Sequence, residues 1–362
     1  MKREDFGKLF EALSGRGYRI VGPRPEDGAI IYGEISSAQE LPAGVRLEQE
    51  PGRVRLSRTQ DSRCFAWANG TFALKPFLFS PEETLWRSRK EQDTLVFDEE
   101  KTPFPKTAFL GVRGCDVAAL ALSDAHFQDA DAPYQRRREH LFLVAVHCSH
   151  PASTCFCVST GDGPQAQGSY DMGLWELDGG FLIETKSDVG QAVLASLPTR
   201  PSTAEEKALA QKEIEASAQA QQRRLPSKNL RDFLFSSLEA KRWEEVAHRC
   251  LSCANCTSVC PTCFCFREED APDLEGDRAV HRRLWDSCFA SEHSYIHGLV
   301  VRGHTRERYR QWLTHKLGGW HDQYGRSGCV GCGRCIAWCP VGIDLTEEVA
   351  ALEQEVPPNT PA

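Results

Sequence analysis

Apolar residues at Phe6, Leu9, Phe10 and Leu13 recur at the spacing of one helix face, and Gly15 and Gly17 stop the pattern. Tyr18 to Val21 and Ala29 to Tyr32 are short strand candidates on either side of a Pro/Asp/Gly loop. Residues 1–60 are therefore expected to form a small α/β cap. From 61 to 200, strand and helix signals alternate as in a mixed α/β domain. Thr107–Val112 and Leu141–Val146 are mostly apolar runs near turn signals, as buried strands are. A helix begins after Cys115 and Asp116 and runs through Val117 to Leu122, and Phe181–Glu184 is a further strand.

Residues 201–249 change character and form a helical connector. Good helix formers dominate, with a break at Pro226. Phe233, Leu234, Leu238 and Trp243 supply a stripe to bury, whereas Thr203–Arg224 is nearly all polar and reads as a solvated connecting helix. Residues 250–350 form the last block, and 351–362 are a flexible tail, proline-rich from Val356.

With 362 residues, 41% hydrophobic and 26% charged, the chain is an ordinary globular protein of two or three domains. The start, Met1 to Asp5, carries no apolar signal core, and no run of about 18 apolar residues occurs, so a cytoplasmic protein without a membrane span is expected. A net charge of −8 argues against nucleic-acid binding, which needs basic surface.

The sixteen cysteines change the picture most, since most fall in clusters at ligand spacing, which suits a reducing compartment. Two runs read C-x2-C-x2-C-x3-C-P: Cys250, Cys253, Cys256, Cys260 with Pro261, and Cys329, Cys332, Cys335, Cys339 with Pro340. This is the run of two-cluster bacterial ferredoxins, in which the fourth cysteine ligates the other cluster. The expected wiring is crossed: Cys250, Cys253, Cys256 and Cys339 around one [4Fe-4S] cluster, and Cys329, Cys332, Cys335 and Cys260 around the other. Structural zinc also uses C-x2-C pairs but needs no trailing C-P. The fold class is α+β: an N-terminal mixed α/β domain, then a helical dicluster ferredoxin-like domain. The long insertion Pro261–Gly328 is expected to be an elaborated helical region, and Glu268–Asp277 a solvated loop within it.

A third [4Fe-4S] site is expected in the α/β domain. Cys115 follows one strand; Cys148, Cys155 and Cys157 follow the next. Adjacent strands of one sheet bring such ends together, where α/β proteins place ligands. The helix after Cys115 also aims its N-terminal amides at an anionic cluster. The competing reading is four ordinary buried cysteines. Of the remainder, Cys263 and Cys265 are expected beside a cluster or in the core, and Cys64 and Cys288 as small buried apolar residues.

Specific stretches resemble one family. They are Phe77–Phe97, Gly-Val-Arg-Gly-Cys-Asp from Gly111, Cys148–Pro164, Cys-Pro-Thr-Cys-Phe-Cys-Phe from Cys260, Trp-Asp-Ser-Cys-Phe from Trp285, and Gly-Cys-Val-Gly-Cys-Gly-Arg-Cys from Gly328. The family comprises the iron–sulfur beta subunits of cytoplasmic nickel–iron hydrogenases (sulfhydrogenases) and the A subunits of anaerobic sulfite reductases. One departure is Gly114, where the family leads one to expect proline. The resemblance implies a non-catalytic electron-transfer subunit of an oxidoreductase complex. It would relay electrons from a FAD- and NAD(P)H-binding flavoprotein subunit to hydrogenase small and large subunits, or to a sirohaem sulfite reductase.

The residues agree with that role, since no G-x-G-x-x-G, Walker sequence or nucleophile elbow is present. A self-contained reductase with flavin in the α/β domain, and a scaffold stapled by its clusters, are the other readings. Arg302, Arg306, Arg308, Arg310, His315 and Lys316 form a basic segment that either serves clusters and an acidic partner or is a solvated face.

The crossed wiring is testable. Cys260→Ala is expected to convert or remove the cluster held by Cys329, Cys332 and Cys335, read by electron paramagnetic resonance; loss confined to the Cys250 cluster would refute it.

Overall fold

The computed structural model describes residues 1–92, 94–99, 103–226 and 229–355; of the tail expected over 351–362, the part from Val356 lies outside the described residues, and 351–355 instead complete the helix Leu345–Glu355, with Leu352 buried. The strands, in chain order, begin with β1 (Arg19–Glu26), β2 (Ala29–Glu34), β3 (Val45–Glu50) and β4 (Arg53–Arg58). Next come β5 (Glu82–Glu91), β6 (Thr94–Glu99), β7 (Thr107–Val112) and β8 (Leu141–Val146). Then follow β9 (Met172–Leu177), β10 (Gly180–Thr185), β11 (Phe266–Pro272) and β12 (Arg278–Trp285).

Six of them form one sheet in the order β10-β9-β8-β7-β1-β2. The inner four are parallel, and antiparallel β2 and β10 close the edges. β7 is buried at every residue and β8 at all but its first, as strands covered on both faces must be. The segment expected to be a separate cap thus differs from that expectation. β1 runs beside β7, and Phe6, Leu9, Ile20 and Ile30 share one core with Phe109, Val144 and Leu174.

Near the end of β7 the ladder shifts register between Leu110 and Val112. Gly111 has φ +89° there, and a Cβ would lie 3.0 Å from the Phe65 ring. Only glycine fits that bend, which swings the chain into the helix Gly114–Phe127. Cys115 therefore sits in the first turn of a helix at the carboxyl end of a central strand.

The insertion after Pro261 is helical only in its second half, from Thr305 to Tyr324, which corrects the expectation for the first. β11 and β12 form a hairpin, and β12 adds to β5, giving a four-stranded antiparallel sheet in the order β11-β12-β5-β6. The expected loop Glu268–Asp277 is thus largely strand and hairpin turn, exposed along β11. Charge replaces apolar alternation as its adhesive. Arg283, nearly fully buried, pairs with Glu83 at 2.5 Å and with Asp131, while Arg137 reaches the same Glu83.

The connector also differs from expectation. Ala204–Ala220 is a helix, but Ala210, Ile214 and Ser217 are buried and it packs on β9 and β10. Its Glu213 clasps buried Arg63 at 2.7 Å. Helices Leu230–Ser236, Arg242–Arg249, Thr305–Thr314 and Leu345–Glu355 surround a second core that includes Trp243, Tyr309, Trp312, Leu317 and Val349. A π-helical turn, His315–Gly319, follows the third of these and turns Lys316 inward. Among the described residues no helix is long and apolar enough to cross a membrane.

The two cores meet along a polar seam. Arg334, 1% exposed, pairs with Asp116 at 2.8 Å and donates from Nε to the Gly70 carbonyl at 2.8 Å. Removing one partner of such a buried pair leaves an uncompensated charge. Arg334→Met is expected to cost about 3–5 kcal/mol, and adding Asp116→Asn should return part of it. Denaturant unfolding of the cluster-loaded chain measures both; additive losses would show that the pair is not coupled.

Candidate metal centres

The first hollow is lined by Cys250, Cys253, Cys256 and Cys339, with Phe289 and Trp312 behind them. Ser252 (φ +51°) and Ala254 (φ +65°) turn the loop left-handed between the cysteines, which points backbone N–H groups inward. Ser252 N–H donates to Cys250 Sγ at 3.5 Å, and Ile343 N–H to Cys339 Sγ at 3.3 Å. Cys253 is exposed, so this hollow has an edge at the surface.

Around the second group, Cys260 lies within electrostatic range of Cys329, Cys332 and Cys335. Gly331 N–H donates to Cys329 Sγ at 3.4 Å. Gly331 has φ +62°, and a Cβ there would meet the Cys157 backbone at 2.5 Å, so the loop is pressed against the α/β domain. Buried Lys316 reaches Thr262 Oγ1 at 3.0 Å, and that hydroxyl lies 3.3 Å from Cys260 Sγ. Burial opposes the Lys316 charge, but Cys260, Cys263 and Cys329 together outweigh it and hold the ammonium above its usual range. Lys75 donates to the Thr257 and Ser258 carbonyls at 3.2 and 3.1 Å on the same side.

The third hollow brings together Cys115, Cys148, Cys155 and Cys157, all buried, and Cys332 of the second group lines it too. Asn69 Nδ2 donates to the Cys332 carbonyl at 2.8 Å and lies 3.8 Å from Cys155 Sγ. Gln221, delivered by the helix on the sheet, places Nε2 3.2 Å from Cys157 Sγ. At Gly163 a Cβ would come within 2.9 Å of Cys157 Sγ, so glycine keeps the hollow open. Arg113 lines it; Nη2 bonds the Phe65 and Trp67 carbonyls, while Nε and Nη1 are buried without a partner.

These arrangements fit four-iron cubes. Burial pushes the thiols of Cys115, Cys155, Cys256 and Cys335 well above the ordinary range and those of Cys157 and Cys329 to about 12. Four thiolates in such places need a bound cation, and buried guanidinium N–H groups without partners suit a group with residual negative charge. Among the described residues no three Cys, His, Asp or Glu side chains converge as ligands of a single metal ion.

The other cysteines fall out differently. Cys64 is buried, as expected, and burial raises its thiol to about 12. Cys263 touches the Cys260 thiol. Cys288 departs from expectation: it is half-buried and contacts Cys265. The basic segment divides. Arg308 binds the Arg302, Gly303 and Phe289 carbonyls and Arg310 the Leu238 carbonyl, so only Lys316 of these three faces a cysteine group. Asn69 and Gln221 carried no signal in the sequence. Arg113 and Arg334 lay inside cysteine motifs, where a charge beside a buried ligand is the available clue.

The model of a 4Fe-4S dicluster domain matches residues 249–343. The chain is 32% identical over 352 residues to sulfhydrogenase 2 subunit beta of Pyrococcus furiosus, covering 94% of each chain. No solved structure matches.

Lys316 gives a direct electrostatic test. Removing a buried cation favours the less negative, oxidised form of an anionic cluster. With a cluster bound at the second group, Lys316→Met is expected to lower its potential by on the order of tens of millivolts, with a cluster at the first group less affected. A redox titration followed by electron paramagnetic resonance reads both; an unchanged or raised potential would remove the role.

Proposed function

The chain belongs to the family of sulfhydrogenase beta subunits and carries a 4Fe-4S dicluster domain; on that basis we propose that it is the electron-transfer subunit of a hydrogenase complex. When bound, [4Fe-4S] clusters supply one-electron transfer. The protein's part would be to hold them in three neighbouring cysteine groups. The observation that carries the reading is the sharing of walls: Cys332 belongs to the second group and lines the third hollow, and Cys335 belongs to the second group and lines the first. The series runs from a buried sheet rim to exposed Cys253. Apolar Phe289, Trp312 and Ile343 shield the first hollow, while Arg113, Arg334 and Lys316 offset negative charge around the other two.

The ligand sets we propose are Cys250, Cys253, Cys256 and Cys339; Cys329, Cys332, Cys335 and Cys260; and Cys115, Cys148, Cys155 and Cys157. The partners proposed are a flavoprotein subunit that binds FAD and NAD(P)H and the hydrogenase small and large subunits. The relative's name favours hydrogenase over sulfite reductase as the terminal enzyme.

Anaerobically purified protein is expected to hold about twelve irons, and a stable preparation with about eight would remove the third site. The isolated chain should be reduced by dithionite but should not oxidise NADH or NADPH. Turnover of either by flavin-loaded, partner-free protein would overturn the reading.

A further inference from the structure

Two cysteines outside the three groups make a site of their own. β11 and β12 pair from Phe266 opposite Trp285, and just beyond the ladder the Asp286 N–H donates to the Cys265 carbonyl at 2.9 Å. The two chains leave the hairpin side by side and bring the thiols of Cys265 and Cys288 into direct contact.

A third side chain completes the set. His293 follows Cys288 by five residues and turns back so that its ring faces Cys265, while Nδ1 lies 2.5 Å from Asp286 Oδ2. Asp286 thus fixes the ring with its other nitrogen toward sulfur, the order of parts that activates a thiol as nucleophile. The Cys288 thiol, then the imidazolium of His293, hold Cys265 far below the ordinary thiol range, and the same contact drives Cys288 above it. The pair is thus polarised, with negative charge favoured on the Cys265 sulfur and the proton on its neighbour. Both are half-buried and the His293 side chain is 23% exposed, so the site is open to a small molecule.

We propose that Cys265 and Cys288 form a redox-active dithiol that exchanges with low-molecular-weight disulfides, with His293, oriented by Asp286, carrying the proton. In the first step the Cys265 thiolate attacks one sulfur of R–S–S–R. That S–S bond breaks, R–S⁻ leaves with the proton of the His293 imidazolium, and Cys265 holds a mixed disulfide. In the second step Cys288 passes its proton to His293 and attacks the Cys265 sulfur. The mixed disulfide breaks, and the second R–S⁻ leaves with that proton. Two protein sulfurs are oxidised to one disulfide, and one R–S–S–R is reduced to two R–SH. The balance needs no other reactant, so the inference stands apart from the electron-transfer reading.

The test uses the full chain with its clusters in place, kept anaerobic and treated with bis(2-hydroxyethyl) disulfide. Free thiols are then alkylated and the digest mapped by mass spectrometry. The expected result is a Cys265 peptide joined to a Cys288 peptide, two equivalents of mercaptoethanol released per chain, and unchanged iron content. Cys288→Ser should stop at the mixed disulfide on Cys265 with one equivalent released. Absence of the joined peptide in wild-type protein overturns the proposal whether or not the variant folds. Loss of iron on substitution of either cysteine, with the fold retained by circular dichroism, also overturns it, because the sulfur is then a metal ligand.

Discussion

Negative charge on sulfur, held in an apolar interior, is the constraint on which the rest of this structure depends. A buried anion is tolerated only where opposite charge and hydrogen-bond donors are fixed beside it. The chain meets that requirement with Arg113, Arg334, Lys316 and Lys75. None of these cations can move freely. Arg334 is locked to Asp116 and the Gly70 carbonyl, Arg113 to two carbonyls and the Trp67 face at 4.2 Å, and Lys316 lies 4.5 Å over the Trp320 ring. Each cation therefore ties a cysteine group to a distant part of the fold.

That arrangement explains why elements that look peripheral are joined to the centre. The helix Ala204–Ala220 presents polar residues along most of its length, yet it lies on the sheet and leads to Gln221, beside Cys157. The hairpin β11–β12 adds to β5 rather than standing alone, and Trp285 at its end covers the Lys75 ammonium at 3.9 Å. Phe156, from the α/β side, belongs to the helical core and donates its N–H to the Gly331 carbonyl at 2.9 Å. The two halves are distinct in sequence and continuous in packing.

Strands buried on both faces, such as Thr107–Val112 and Leu141–Val146, were legible in the sequence because uninterrupted apolar runs leave few alternatives. The cysteine runs were legible because ligand geometry dictates spacing. Phe266–Pro272 was not: its residues are almost all charged or exposed, so strand pairing left no alternation to read. The union of the first sixty residues with the main sheet was also hidden, because β1 meets β7 across more than eighty residues of chain and pattern says nothing about such distances. Asn69 and Gln221 fall in the same class. Each is an ordinary polar residue whose importance comes only from where the chain places it.

The company Cys339 keeps has a consequence in time. As the chain leaves the ribosome, Cys115 through Cys157 are all present early, but Cys332, which also lines the third hollow, is made late. Cys260 and Cys339 are 79 residues apart, about 4–16 s at roughly 5–20 residues per second. For that interval the first cysteine run stands without the sulfur that closes its hollow, exposed to oxidation and to stray metal. The walls of all three cysteine groups are therefore complete only once the last cysteine run has been made.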